Sequence, residues 1–236
     1  MELQQQVIWI TGASGALGHA ICEHLHRARA RIIVSGRTLD TLPSARDGLE
    51  RLALDVTDRL AVDAGAQQIL DRYGRIDGLV TCTTIPRFGD FLSLQDDDWS
   101  DVLNAKLLGS IRPARSVIPA MISQRGGSIV FITGRGGTVP PPKHLPGSCA
   151  NASLNLLAQG LATEYGQHGI RVNALAPGPI QSPRLEAMKS GVANARSALG
   201  GPGRPDDVAA AVSFLLSSQA RHITGVCLPV DGGRAK

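Results

Sequence analysis

Residues 11–18 have the composition and spacing of a turn that can bind an anion. They read Thr-Gly-Ala-Ser-Gly-Ala-Leu-Gly, after the apolar, partly β-branched segment 7–10 and before segment 20–25, whose apolar residues recur at helical spacing. Glycine lets the backbone approach a ligand closely, and the N–H groups and positive dipole end of a helix favour a phosphate. The pattern therefore predicts a phosphate-binding turn between a strand and a helix. A purely structural strand-to-helix turn is the alternative.

The rest of the chain alternates between apolar strands and helical patterns. Further strands are predicted at 31–36, 52–56, within 76–84 (a strand and its exit), 128–133, 170–175 and 225–230. Helices are predicted at 58–73, from about 96, at 148–166 and at 205–217. Such alternation is typical of βαβ units. We therefore expect a doubly wound, mainly parallel seven-stranded sheet, a Rossmann fold, in one domain over residues 1–236. Ligands of such sheets bind outside the carboxyl ends of the strands.

Arg37 directly follows the second predicted strand. In a dinucleotide-binding fold this position faces the adenosine ribose, where an acidic residue binds the 2′-hydroxyl and an arginine accommodates a 2′-phosphate. Arg37 therefore favours NADP(H) over NAD(H). A solvated surface arginine is the alternative.

Composition excludes several other classes of protein. The 236 residues are 43% hydrophobic and carry a net charge of +4, which suits a globular domain with a substantial core. Aromatic residues make up only 3% and the arginines are scattered, so we expect no nucleic-acid partner. No apolar run is long enough to cross a membrane, and the N-terminus lacks a signal pattern. Four widely spaced cysteines with no CxxC pair favour reduced thiols in the cytoplasm.

Two groups of residues have side chains of the kinds that bind metals. Asp96, Asp97 and Asp98 begin a predicted helix, where negative charge suits the helix dipole, so we interpret them as helix-capping residues. His19, Glu23 and His26 share one helical face, which we interpret as a solvated surface. We predict no metal site.

Several segments together resemble the short-chain dehydrogenase/reductase family over nearly the whole chain. The resemblance rests on Thr11-Gly12-x-x-x-Ala16-x-Gly18, Asp55-Val56, Pro177-Gly178-x-Ile180-x-Ser182, Gly203-Arg204-Pro205, Ile223-Thr224-Gly225 and Val230-Asp231-Gly232-Gly233. It implies an oxidoreductase that binds NADP(H). With the residue pattern, it assigns the cofactor to Gly12, Ser14, Gly15, Ala16, Leu17, Gly18, Arg37, Asp55, Val56, Thr83, Pro177, Gly178, Ile180 and Ser182.

The same resemblance places unusual residues where the family has its catalytic groups. The family's asparagine lies seven residues after a helix tryptophan, and that count from Trp99 reaches Lys106. Gly134 stands where the family has its catalytic serine, Gly147 where it has its tyrosine, and Asn151 where it has its lysine. The resemblance therefore implies a divergent active site. Glycine offers no hydroxyl and no transferable proton, so the family's acid–base route is lost.

The exit of the fourth strand departs from the family as well. The resemblance aligns Thr81-Cys82-Thr83-Thr84 with the family's Asn-Asn-Ala-Gly. Threonines at 83 and 84 are larger than the small residues they replace, and we expect them to crowd the cofactor.

The lysine and asparagine of the family look exchanged in this chain, since Lys106 stands for asparagine and Asn151 for lysine. A buried ammonium needs a partner, and the side-chain oxygen of Asn151 can provide one. We predict that Lys106 supplies the positive charge of the site and an electrostatic or proton-transfer function. The alternative is that Lys106 extends to solvent.

Other residues near the predicted site carry positive charge or reactive groups. This set is Arg87, Lys106, Arg135, Lys143, His144, Ser148 and Cys149. Together they can line a basic cleft for an acidic small molecule. His144 can act as an acid or base near neutral pH, or be an ordinary exposed loop histidine. Cys149 can be a nucleophile or an inert thiol.

Three functions remain open from the sequence. The first is an NADP(H)-dependent oxidoreductase with a rearranged acid–base apparatus and Lys106, His144 and Asn151 as its candidate catalytic residues. The second is a binding or regulatory protein that keeps the fold without turnover. The third is a non-redox isomerase, cyclase or lyase that uses the same pocket.

We also expect a homodimer or homotetramer. The helix predicted at 148–166 carries Leu154, Leu156, Leu157 and Leu161 on more than one face, so one face is left after the sheet is covered. The resemblance implies the same, because the family commonly pairs through this helix.

Overall fold

Seven strands form the centre of the molecule. The computed structural model describes residues 3–187 and 197–233. The strands are β1 (Val7–Thr11), β2 (Arg31–Gly36), β3 (Leu49–Ala53), β4 (Gly78–Thr81), β5 (Gly127–Ile132), β6 (Ile170–Pro177) and β7 (Cys227–Val230). Their order in the sheet is β3-β2-β1-β4-β5-β6-β7, and every adjacent pair is parallel. The predicted fold class is therefore confirmed.

Helices connect the strands and cover both faces of the sheet. They are α1 (Ala16–Arg27), α2 (Arg59–Tyr73), α3 (Asp96–Val102), α4 (Gly109–Gln124), α5 (Leu145–Tyr165), α6 (Pro183–Ala187) and α7 (Pro205–Leu216). A π-helical turn, Leu103–Leu108, joins α3 to α4. Along β1, Ile8 and Ile10 face the core beneath α1 and α7, whereas Val7 and Trp9 face the core beneath α2, α4 and α5. This alternation is the two-residue period of a strand buried on both faces.

The ends of α2 follow the sequence prediction closely. The Asp58 carboxylate accepts hydrogen bonds from the N–H groups of Leu60 and Ala61, at 2.9 and 3.1 Å. Gly74 ends the helix at φ +70°, a left-handed conformation that suits glycine. The predicted helix 58–73 is confirmed, with Asp58 as its cap.

Two predicted boundaries are wrong for local reasons. The third strand, predicted at 52–56, lies at Leu49–Ala53, because the Asp55 carboxylate bonds the N–H and hydroxyl of Thr57 and turns the chain out of the sheet. The helix predicted at 148–166 begins at Leu145, where Pro146 in the first turn is compatible with a helix start. Gly147 is thus a helical residue rather than part of a loop.

No helix within the described residues is long and apolar enough to span a membrane.

Candidate active site

A cavity of about 760 Å³ opens at the carboxyl ends of the central strands. Residues from the exits of β1, β4, β5 and β6 line it, together with the π-helical turn and α5. A doubly wound sheet is expected to bind its ligand at this edge. The predicted residues that line the cavity are Gly15, Ala16, Leu17, Lys106, Gly134, His144, Gly147, Asn151, Pro177, Gly178, Ile180 and Ser182.

The glycine turn is shaped by two close backbone approaches. Gly12 has φ +71°, and a Cβ atom there would lie 2.6 Å from the backbone nitrogen of Thr83. A Cβ on Gly18 would lie 2.6 Å from Cα of Ala13. Both positions therefore require glycine. Beside them the turn stays open, since a Cβ on Gly15 would meet no atom within 4 Å.

The start of α1 can hold a phosphate. Gly15 precedes the helix without a side-chain cap, and the first turn carries no acidic residue. Its N–H groups keep their hydrogen-bonding capacity for a ligand in the cavity, which Ala16 and Leu17 also line. Ser14, also assigned to the cofactor, is exposed beside this turn.

Thr83 lies against Gly12 and does not line the cavity. Its hydroxyl oxygen is buried and has no hydrogen-bond partner. Thr84 does line the cavity. The predicted crowding of a cofactor by these threonines stays a prediction.

The residues assigned to the adenosine end lie outside the cavity lining, near the exits of β2 and β3. Burial alone would raise the pKa of Asp55, but hydrogen bonds from Thr57 and the charges of Arg37 and Arg112 outweigh it, so this pKa lies below its ordinary value. Arg37 is exposed, and its charge acts on Asp55. Val56 is buried, and its carbonyl accepts a hydrogen bond from Arg112 at 3.0 Å. Arg37 and Asp55 thus form a polar, charged corner open to solvent.

The segment after β6 is fixed by backbone contacts. The Gly178 N–H donates to the Val230 carbonyl at 2.9 Å, and a Cβ on Gly178 would lie 2.8 Å from Cβ of Asp231. Ile180 bridges to Gly203. The Ser182 hydroxyl accepts a hydrogen bond from the N–H of Leu185 in α6. The four predicted residues of this segment therefore line one side of the cavity in a defined conformation.

Lys106 is buried at the cavity, with 5% of its surface exposed. Its ammonium donates a hydrogen bond to the Ile132 carbonyl at 3.2 Å. Asn151, 4% exposed, lines the same cavity, but its side-chain oxygen has no hydrogen-bond partner, so the predicted bond from Lys106 to this oxygen is wrong. The alternative that Lys106 extends to solvent is therefore wrong.

The charge of Lys106 acts on the pKa of the Cys82 thiol. Burial raises the pKa of the Cys82 thiol to about 11, and the positive charge of Lys106 acts in the opposite direction. A thiol with such a pKa stays protonated at neutral pH, so Cys82 is a neutral part of the lining.

The imidazole of His144 occupies the space that a side chain at position 147 would take. A Cβ on Gly147 would collide with Nε2 of His144 and lie 2.6 Å from its Cε1. The ring stacks on Phe88, with centroids 4.6 Å apart and an interplanar angle of 21°. His144 is thus a half-buried cavity residue rather than an exposed loop histidine.

Two contacts outside the cavity hold the segment that carries His144. The Lys143 carbonyl accepts a hydrogen bond from the Gly89 N–H at 3.0 Å. The Lys143 ammonium lies 3.6 Å from the Asp90 carboxylate. With the stacked rings, these contacts join the loop after β4 to the loop after β5.

The predicted basic cleft forms only in part. Lys106, Arg135 and His144 line the cavity, but Arg87, Lys143, Ser148 and Cys149 do not. Arg87 instead pairs with Asp98 and Asp101, at 3.3 and 3.2 Å. Arg135 pairs with Asp231 at 3.3 Å. The sequence could not show that carboxylates distant along the chain compensate these arginines.

The groups with metal-binding side chains have other roles. The Asp98 carboxylate caps α3 by accepting from the Gln95 N–H at 3.1 Å. His19 and His26 contact the carbonyls of Thr41 and Asp47. Within residues 3–187 and 197–233, no cluster of three or more potential ligands has the arrangement of a metal site.

Sequence reasoning missed several apolar residues of the cavity. Phe88, Val139, Leu185 and the run Pro140–Pro142 line it. The proline run was visible in the sequence, but only as part of a loop. Phe88 carried no signal, because nothing in its local pattern pointed to the cavity.

The family of the chain follows from its similarity to known proteins. A family model described as enoyl-(acyl carrier protein) reductase matches residues 12–235. The chain belongs to the short-chain dehydrogenase/reductase family, which is a family of oxidoreductases.

Similar proteins cover nearly the whole chain. A 3-oxoacyl-(acyl-carrier-protein) reductase FabG of Thermotoga maritima is 32% identical over 99% of this chain and 99% of its own, and that of Escherichia coli is 30% identical over 99% and 98%. Among solved structures, a gluconate 5-dehydrogenase from Burkholderia cenocepacia in complex with NADP and tartrate has a TM-score of 0.92 at 26% identity, covering 98% of this chain and 96% of that one. The Thermoplasma acidophilum aldohexose dehydrogenase has a TM-score of 0.90 at 28% identity, covering 98% and 94%.

Gly147→Ala tests the placement of His144. The new methyl group collides with the imidazole, the end of a flexible side chain, so we expect the ring to leave its stack on Phe88 while the fold persists. The ring-proton chemical shifts of His144, measured by NMR, should lose the ring-current contribution of Phe88.

Gly166→Ala is the matched control. Gly166 has φ −56°, and a Cβ there meets no atom within 4 Å. This variant should keep the His144 shifts and gain about 0.4–1 kcal/mol of stability. Unchanged His144 shifts in Gly147→Ala would contradict the placement.

Proposed function

We propose that the protein is an NADP(H)-dependent oxidoreductase that interconverts the carbonyl and alcohol forms of a small molecule, with His144 as its acid–base group. The observation that carries this proposal is the imidazole in the side-chain space of residue 147. There it shares one cavity with Lys106 and Asn151. The proposal replaces the tyrosine expected from the family by a histidine one helical turn earlier in the chain.

The geometry of the turn and the relatives support the cofactor. The open position at Gly15 and the free N–H groups of α1 fit a pyrophosphate. The exposed Arg37 beside Asp55 fits a 2′-phosphate. One similar structure is a complex with NADP. When bound, NADP(H) supplies or accepts the hydride.

The roles of the side chains follow from their chemistry. Imidazole is a side-chain group that exchanges protons near neutral pH, so His144 can give a proton to a carbonyl oxygen or take one from an alcohol. The Lys106 ammonium stabilises negative charge that develops on that oxygen, and its burial strengthens this effect. Asn151 orients the ligand through its amide. Gly134 and Gly147 contribute space rather than hydroxyl groups.

The relatives favour this function over the two alternatives that the sequence leaves open. Curated relatives that match almost the whole chain are named as reductases, and the similar structures include dehydrogenases. The relatives give no comparable support to a binding protein without turnover or to a non-redox enzyme.

NADPH should bind more tightly than NADH, because Arg37 can pair with the 2′-phosphate. Isothermal titration calorimetry measures both affinities. Arg37→Met should reduce the preference at least tenfold, whereas Arg29→Met, an exposed arginine outside this corner, should keep it. Equal affinities in the unmodified protein, or no binding of either, would contradict the cofactor assignment.

His144→Gln and Lys106→Met test the acid–base and electrostatic roles. His144→Gln removes the proton-transfer group and should lower kcat by about two to four orders of magnitude. Lys106→Met should weaken ligand binding or activity at least tenfold, about 1.4 kcal/mol.

His24→Gln and Arg115→Met serve as matched controls, since both lie outside the cavity and Arg115 is exposed. We expect them to keep wild-type activity. Full NADPH-dependent turnover in His144→Gln would overturn the role of His144, and unchanged binding and activity in Lys106→Met would overturn that of Lys106.

We further propose a homodimer or homotetramer formed through α5. Leu154 is buried against the sheet, but Leu156 is 69% exposed on the same helix. Burial of this leucine in an interface would stabilise the assembly. Light scattering at micromolar concentration should give a multiple of the chain mass, and Leu156→Lys should shift it towards the monomer. A monomeric mass for the unmodified protein would contradict this proposal.

A further inference from the structure

The loops that line the cavity carry polar side chains, among them Thr84, Arg135 and Ser182, together with a set of apolar ones. Polar side chains at Lys106 and Asn151 come from the π-helical turn and α5. Apolar surface comes from Val139 and Pro140–Pro142 after β5, Phe88 after β4 and Leu185 in α6. We call these six residues the apolar wall. A ligand that reaches Lys106 can pack its remaining surface against this wall.

The wall has almost no capacity to donate hydrogen bonds. Proline has no N–H group, and none of the wall side chains carries a polar atom. A polyhydroxylated ligand would lose hydrogen bonds to water there without replacing them, which costs free energy for each buried hydroxyl. A hydrocarbon surface gains free energy from the same burial.

The charge of Arg135 does not favour an acidic substrate. Arg135 and Asp231 pair at 3.3 Å with side chains only 16% and 14% exposed, so the carboxylate compensates the guanidinium. An anionic substituent placed on Arg135 would have to displace Asp231. The cation of Lys106 lies beside the Ile132 carbonyl, where it can meet a carbonyl oxygen of the substrate.

We propose that the substrate is a neutral carbonyl compound, or the matching alcohol, whose body is hydrocarbon and packs on the apolar wall. This proposal rests on the proposed function and specifies its substrate class. It excludes sugars and oxo acids as preferred substrates, and so differs from the acidic ligand expected from the sequence.

A series of methyl ketones tests the proposal. With NADPH, kcat/KM should rise about fourfold for each methylene from methyl ethyl ketone to methyl pentyl ketone. Levulinate, of similar size but anionic, and ribulose, polyhydroxylated, should each give a kcat/KM at least tenfold below that of methyl pentyl ketone. A flat series, or a preference for levulinate or ribulose, would overturn the proposal.

Leu185→Asn tests the wall with little change in side-chain shape. The KM for methyl pentyl ketone should rise about tenfold, while kcat and the kinetics with methyl ethyl ketone change little. Leu92→Asn is the control, because Leu92 is 92% exposed and does not line the cavity. Equal effects of the two variants would count against the wall as a substrate surface.

A binding measurement separates this proposal from the proposed function. Calorimetry with the same ketones and oxidised NADP involves no turnover. Affinity that rises along the series, without any reduction in the kinetic assay, would support the apolar site and refute the oxidoreductase. Reduction of carbonyl compounds without a rise in affinity would refute the substrate class alone.

Discussion

The site depends on the close approach of the turn after β5 to helix α5. A Cβ on Gly137 would lie 2.9 Å from the backbone nitrogen of Ala152, and one on Gly136 would lie 2.8 Å from the Ser148 hydroxyl. Backbone and helix can meet only where these side chains are missing. This contact places Asn151 directly behind Gly134, since a Cβ there would lie 3.0 Å from the Asn151 amide nitrogen. Residues of the loop and of the helix therefore line the cavity side by side at this point.

The buried ammonium of Lys106 is stabilised in part by a hydrogen bond to the protein backbone. Taking an ammonium out of water is costly unless hydrogen bonds replace its hydration. Lys106 bonds the carbonyl that ends β5, and a neutral thiol at Cys82 and an amide at Asn151 line the same space. Burial strengthens the effect of this charge on a ligand, because the local dielectric constant is low.

The sequence predicted the sheet, the glycine turn and most of the residues that line the cavity between β1 and β6. These features depend on local patterns, namely strand periodicity, glycine at close approaches and helix caps at Asp58 and Gly74. Phe88 and the pairing of Arg135 with Asp231 could not be predicted, since each depends on which loops meet in space. The same reason explains the basic cleft, where the charges were counted correctly but their distant partners were not visible. His144 was found as a candidate, but its position over Gly147 required coordinates.

The π-helical turn at Leu103–Leu108 has a consequence for how this chain tolerates length changes. A π turn accommodates one residue more than an α-helical turn, and such turns often arise at functional sites. Loss of a single residue there would restore α-helical winding, so the helices on either side would keep their orientation while the residues within the turn would shift by one position. The ammonium of Lys106 would then leave the Ile132 carbonyl while α4 kept its apolar contacts. Insertions and deletions in this short segment should therefore be far more harmful than conservative substitutions of its exposed side chains.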